Sequence, residues 1–337
     1  MNQTRITTEG LTNARPGREA PPGSGRPTGS ADRERRRGSR RRRPAEAFRS
    51  YYGLPVLNPP VWEAREIAGY FFLGGLAGAS SVVAAIAQRT GQRSVVAPAK
   101  VAAAGAVTLS LAALVKDLGR PTRALNMLRV LKPTSPMSVG TWVLSCYAPA
   151  AIGAAGSELT GLLPAVGATA TGVAAALGPA VASYTAVLIS DTAVPAWHDA
   201  RREMPAVFVS SAASAAAGVG LLACRDSDAI PLRRLAIGSA AAEIVAEQVM
   251  ERRLDPAVAK AYHEPKPEKL LRASRTLSAF GAAVALLAGH HRVGRRVAGT
   301  ALIAASALTR FGIFHAGMAS ARDPEATIGP QRARLAS

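Results

Sequence analysis

Glu66 and Tyr70 stand four residues apart, so on a helix a carboxylate and a phenol share one face. Such a pair could hydrogen-bond a carbonyl or pass a proton. Tyr184 and Asp191 stand seven apart, two helical turns, or about 10 Å along the axis. A phenol beneath a boundary carboxylate suits a ligand head group entering from lipid, and suits equally a buried tyrosine with a backbone partner. Glu243 and Glu247 are again i and i+4, but inside an apolar run, where carboxylates are costly and mark either a proton route or a buried ion pair. Lys100, the only charge in another apolar run, is their candidate partner. Asp117 and Arg120 are spaced to pair at a membrane boundary. The remaining chemistry-bearing types are placed less usefully. His198, His263, His290, His291 and His315 fall in connections or near helix ends, so no pair sits at matching depth to hold a haem. Cys146 and Cys224 are too few for an iron–sulfur cluster and read as small buried hydrophobes. No metal-ligand spacing, phosphate loop or catalytic triad is present, and the chain is expected to carry neither metal nor haem.

The elements that must position these residues are hydrophobic helices. Residues Ile67–Gln88, Pro133–Ser157, Leu159–Ser190 and Met204–Cys224 are free of charge, and each is long enough for a hydrocarbon core of ~30 Å. Val95–Val115 adds a fifth, interrupted only by Lys100. Three weaker runs follow: Leu235–Met250 with its two glutamates, the short Thr276–Gly289, and Val297–Phe314 with Arg310. The expectation is an all-α integral membrane protein of eight transmembrane helices spanning residues 51–324, with a short tail at 325–337. These runs are rich in Ala, Gly and Ser. Gly74, Gly75 and Gly78, and likewise Gly167, Gly172 and Gly178, are placed to let helix backbones approach closely. Residues 1–50 are different. They hold thirteen arginines among Pro, Gly and Ser, eight of them between Arg33 and Arg43, and read as a disordered basic tail. Because that tail dominates the net charge of +19, the charge points to topology and anionic lipid rather than to nucleic acid. No apolar segment follows the arginines directly, so they do not read as a twin-arginine signal.

Almost every polar, motif-like stretch falls at one end of these helices. Residues 51–66, 116–137, 190–205, 251–275 and 310–324 alternate with short, plain connections. Basic residues are concentrated at the same end, including Lys116, Arg129, Lys132, Arg201, Arg202, Arg252, Arg253, Lys260, Lys269 and Arg275. In the plasma membrane this predicts a cytoplasmic motif face and two cytoplasmic termini. Trp62 and Tyr70 are candidate interfacial anchors, and Ser135 or Ser138 is a candidate cap for the third span.

These segments resemble the membrane subunits of the polysulfide reductase (NrfD-type) family. The likeness rests on Tyr51-Tyr52-Gly53 with Pro55, Pro60 and Trp62, on Tyr70-Phe71-Phe72-Leu73-Gly74-Gly75, and on Asp117-Leu118-Gly119-Arg120-Pro121. It continues through Ser135-Pro136-Met137-Ser138 with Gly140 and Trp142, Tyr184-Thr185, Pro195-Ala196-Trp197, Arg310-Phe311-Gly312 with Ala316-Gly317, and Asp323-Pro324. The resemblance implies an eight-helix, haem-free subunit that binds menaquinone or ubiquinone. It also implies docking on a ferredoxin-like four-cluster iron–sulfur subunit, which serves a molybdopterin catalytic subunit. Carried over by position, Glu66, Tyr70 and Tyr184 become quinone candidates supported by Asp117 and Asp191, and Trp62, Arg120, Pro136 and Trp197 mark the partner-docking face. Some members carry Asn and His where Ile67 and Tyr70 stand here. Glu243, Glu247 and Lys100 keep a second class open, a transporter or proton-translocating module that works without quinone; a purely structural anchor is a third.

Overall fold

The computed structural model describes residues 56–58, 60–117 and 126–336, with side chains as far as Pro330. The expected tail at 1–50, the motif at 51–55 and Arg120 lie outside the described residues. Eight helices make up the body: α1 (Ala64–Thr90), α2 (Arg93–Asp117), α3 (Pro136–Thr160), α4 (Pro164–Ser190), α5 (Met204–Ala223), α6 (Ala229–Arg253), α7 (Pro265–Leu287) and α8 (Arg292–Arg322). A ninth, α9 (Pro324–Ala336), follows a one-residue break, so the expected C-terminal tail is helical.

Seven of the eight are long and apolar enough to cross a membrane; α6 is not, because Arg233, Arg234, Glu243 and Glu247 dilute its hydropathy. The chain is an all-helical membrane protein. Helix α7 begins about three turns earlier than its apolar run predicts, since its first turns are polar and lie at the motif end.

The helices sort into two groups of four. In the first, α1 packs on α2 and α4, and α3 closes the ring by packing on both of them; in the second, α5 packs on α6 and α8, and α7 closes it. The groups meet where α5 packs on α1, α4 and α2 and where α8 packs on α1. Small residues set the spacing. A Cβ on Gly78 of α1 would overlap the carbonyl of Gly178 on α4, and Gly218 of α5 stands in the same relation to Gly299 of α8. Gly78 and Gly218 both occupy the fifteenth position of their helices. Gly172, expected in the same packing stripe as Gly178, meets nothing and does not take part. Gly78→Ala should force the two backbones apart and destabilise the protein by about 1–3 kcal/mol. Gly69→Ala, where a Cβ would meet no atom, should be tolerated; thermal unfolding of both variants in one detergent checks the contrast.

Connections at the end opposite the motifs are tight. Gly91 caps α1 with φ 77°, its N–H bonding Ala87 O. Gly161 caps α3 at φ 70°, and the exposed Leu163 takes φ 50° before Pro164 opens α4. At this end Ser94 Oγ donates to Asp228 Oδ2 at 2.5 Å and accepts from Arg225 N. The Ser94 hydroxyl hydrogen bond holds the Asp228 carboxyl below the ordinary carboxylate range. Arg295, buried, reaches Asp226 at 2.5 Å.

Two sequence expectations are revised by these packing details. Cys224 is buried, but Cys146 is exposed on α3. Ser135 occupies the N-cap of α3 without a side-chain bond. Ser138 instead accepts from Lys132 N and donates to Val130 O, pinning the preceding loop to the first turn.

Candidate functional site

The motif-bearing ends converge. Trp197, on the short helix Pro195–His198 between α4 and α5, is fully buried. Its Nε1 donates to Ile313 O at 2.9 Å. The indole stacks on Trp62 with centroids 5.9 Å apart and packs against Phe314. It lies where a Cβ on Gly317 would stand, which accounts for a glycine at that turn of α8. Tyr262 Oη donates to Ala196 O at 2.9 Å, and Ala196 N donates to Ser320 Oγ. Expected as a docking residue, Trp197 is therefore a core residue with no surface to offer; Trp62, half-buried, covers it. Pro136 is partly exposed as the first residue of α3; a surface cleft of about 270 Å³ is lined by His198, Arg201 and Thr327 among others.

Beneath this surface lies the interior of the first four-helix group. Glu66 is buried in the first turn of α1, and its Oε1 accepts from Lys116 Nζ at 2.7 Å. Its other oxygen is buried without a partner. Asp117, exposed at the end of α2, is close enough to repel Glu66. One turn deeper, Tyr70 is 1% exposed, so it is no interfacial anchor. Its ring neighbours Phe71, which leads to Phe208 of α5. The Tyr184 and Tyr70 phenols are near enough to interact, but no hydrogen bond of ordinary geometry joins them, and the Tyr70 hydroxyl is left without one. Tyr184 leans across α3 into the space that a Cβ on Gly140 would fill. Thr185 Oγ1, beside it, is also buried and unpartnered. Glu66, Tyr70 and Tyr184 are thus brought to one region. Asp191 is not; it is exposed where α4 ends.

Glu243 and Glu247 sit in the second group. Glu243 accepts from Thr309 Oγ1 at 2.8 Å and from Ser278 Oγ at 3.1 Å. Glu247 Oε2 accepts from Arg275 Nε at 2.8 Å, and Arg275 also binds Glu251. Lys100 is not their partner. It pairs at 2.8 Å with Glu158 of α3, at the end away from the motifs, and lines a small cavity with Ser81 and Thr171.

Several participants were not singled out from sequence. Lys116, Arg275, Ser278 and Thr309 become visible only through pairings between distant segments. Arg310, which interrupts an apolar run and opens the Arg310-Phe311-Gly312 motif, had no expected role. It is fully buried, with Nη2 donating to Phe208 O at 2.7 Å and its guanidinium 4.0 Å from the Phe208 ring centroid.

Fold and site together define a polytopic helical membrane protein with buried polar groups beneath one elaborated face. The polysulphide reductase, NrfD family matches residues 55–229, just over half of the chain, and the protein belongs to that family of membrane subunits of respiratory oxidoreductase complexes. The match runs from the motif before α1 to the start of α6, so it contains the whole Glu66–Tyr70–Tyr184 region. The remaining helices, with Glu247 and Arg310, lie beyond it. No curated protein matches the chain. Among the described residues, no group of His, Cys, Asp and Glu is arranged to hold a metal ion.

Proposed function

We propose that this protein is the quinone-reactive membrane subunit of a multi-subunit oxidoreductase. It exchanges electrons between the quinone pool, menaquinone or ubiquinone, and a ferredoxin-like four-cluster iron–sulfur subunit. That subunit in turn serves a molybdopterin enzyme. In this reading all eight long helices cross the plasma membrane, α6 with its charges turned into the protein, and both ends of the chain lie in the cytoplasm.

The observation that carries the reading is the unpartnered Tyr70 hydroxyl, fully buried beside Tyr184. A buried hydroxyl without a partner costs about 1–3 kcal/mol, and a carbonyl-bearing ligand would relieve that cost. Phe71 supplies an apolar wall beside the two phenols, which suits a largely apolar head group. A quinone, when bound, supplies two-electron, two-proton redox chemistry. The protein's own part is to orient the carbonyl oxygens through the Tyr70 and Tyr184 hydroxyls and to exclude water with the α1–α4 packing. The free oxygen of Glu66, one turn above, holds or releases a proton near the motif face.

The test is purification of the N-terminally tagged protein in mild detergent, with quinone extraction and mass spectrometry of co-purifying chains. Bound quinone together with an iron–sulfur subunit is the expected result. A lone, quinone-free protein whose Tyr184→Phe and Glu66→Gln variants behave like the parent removes both the ligand and the site.

A further inference from the structure

The second helix group carries a polar ladder that the quinone reading does not use. Glu251, Glu247, Glu243 and Ser239 follow one another at four-residue steps along α6, so they form one stripe. The charged and titratable groups facing this stripe come from every neighbour. Helix α7 brings Arg275, α8 brings Arg310, the connection between α6 and α7 brings Tyr262, and α5 faces it with the hydroxyl of Ser214.

Charge counting makes the cluster unusual. Three carboxylates, Glu243, Glu247 and Glu251, are met by two guanidiniums, Arg275 and Arg310. An uncompensated charge in a span costs several kcal/mol, so one proton restores balance. The hydrogen bonds say where it goes. Each oxygen of Glu243 has a hydroxyl partner, Thr309 on Oε1 and Ser278 on Oε2, so neither is left open. Glu247 has Arg275 on one oxygen only, and its Oε1 is buried with no partner. Arg310 Nε and Nη1 are likewise buried and unpartnered, near enough to both glutamates to act on their charge.

The ladder is open at one end. Arg275, one-third exposed, and Glu251, one-fifth exposed, lead to the motif face. In the other direction the hydroxyls stop at Ser239 and Ser214, hydrogen-bonded at 3.0 Å. Beyond them Ala236, Leu232, Leu221, Ala298 and Leu302 form a closed apolar plug. From Ser239 to Arg233, the next partly buried charged residue towards the far end of α6, the helix rises about 9 Å.

We infer that α6–α8 enclose a proton-loading site, in which Glu247 Oε1 takes up one proton exchanged through the Arg275–Glu251 mouth with the motif-side water alone. The proton moves between solvent and the carboxylate, with no other bond made or broken. Arg310 biases the occupancy by its fixed positive charge. The site is independent of the quinone reading, because it would load and unload in protein without quinone.

Infrared spectroscopy of the full chain in lipid nanodiscs tests this. A deuterium-sensitive carboxylic C=O band should titrate with pH, vanish in Glu247→Gln and shift to a lower midpoint in Glu251→Gln, which takes one negative charge from the cluster. In Arg310→Gln its midpoint should rise by on the order of one pH unit or more, since a stabilising positive charge is lost. Thr309→Val, a milder change, should lower it, because losing a donor draws the proton towards Glu243 and eases the repulsion on Glu247. In vesicles of known orientation, the band should follow a pH jump on the motif side and ignore one on the other. A band absent throughout, unaffected by Glu247→Gln, or unmoved in Thr309→Val would overturn the proposal. A response from the far side would overturn its one-sidedness.

Discussion

Tyr70→Phe is expected to weaken quinone binding about tenfold while leaving the fold as stable as the parent or more so. The two effects have opposite signs for one reason. In the ligand-free protein the Tyr70 hydroxyl is buried without a partner, so deleting it removes an unsatisfied group and should gain about 1 kcal/mol. With a carbonyl ligand present, the same deletion removes a donor. A thermal shift series separates the contributions. Added quinone should raise the melting temperature of the parent by mass action, and the Phe variant should start higher and rise less. A structural tyrosine would instead lose stability on truncation, with no change in the ligand response. Tyr184→Phe should reproduce the loss of binding without the gain, because Tyr184 is only partly buried.

The second large effect concerns the motif face. Trp197→Ala should cost about 3–5 kcal/mol, the range for deleting a fully buried large aromatic. The loss would extend beyond one cavity. The indole ties the α4–α5 connection to α8 through Ile313 O, and it supports Trp62 ahead of α1. Chemical denaturation should report the loss, and co-purification of any iron–sulfur partner should fall with it. Trp62→Ala, which removes only the half-buried cover, should cost much less. Equal losses in the two variants would mean that the outer tryptophan, not the buried one, organises this face.

The difference between these tryptophans shows what the sequence could not convey. Both read as partner-docking residues, since the resemblance puts each in a connection at the motif face. Which one is covered depends on Gly317, more than a hundred residues away from Trp197, leaving room for an indole. The helices themselves were legible because burial in lipid demands long charge-free runs, and five such runs are uninterrupted or nearly so. The polar faces of α6 and α7 concealed their true extent, because Glu247 and Glu251 of one are satisfied sideways by Arg275 of the other. Partner choice was illegible for the same reason. Glu66 finds Lys116 and Glu247 finds Arg275 across connections, whereas Lys100, equally buried, turns to Glu158 at the other end. Tyr147, which hydrogen-bonds Ser81 at 2.8 Å inside the first group, gave no signal in an Ala-rich run. Glu66, Tyr70 and Tyr184 could be grouped from sequence because helix periodicity and the family motifs agree there.

Helix α9 carries a practical consequence. It packs against the short helix Pro256–Ala259 and the Pro195–His198 turn, with Lys260 paired to Glu325 at 3.1 Å. Helix α9 is therefore part of the elaborated surface rather than a free appendage. An affinity handle or fluorescent protein fused after Ser337 would stand on the ground that a redox partner would occupy. A complex sought with such a bait would be lost through its own label, and the silence would be mistaken for solitude.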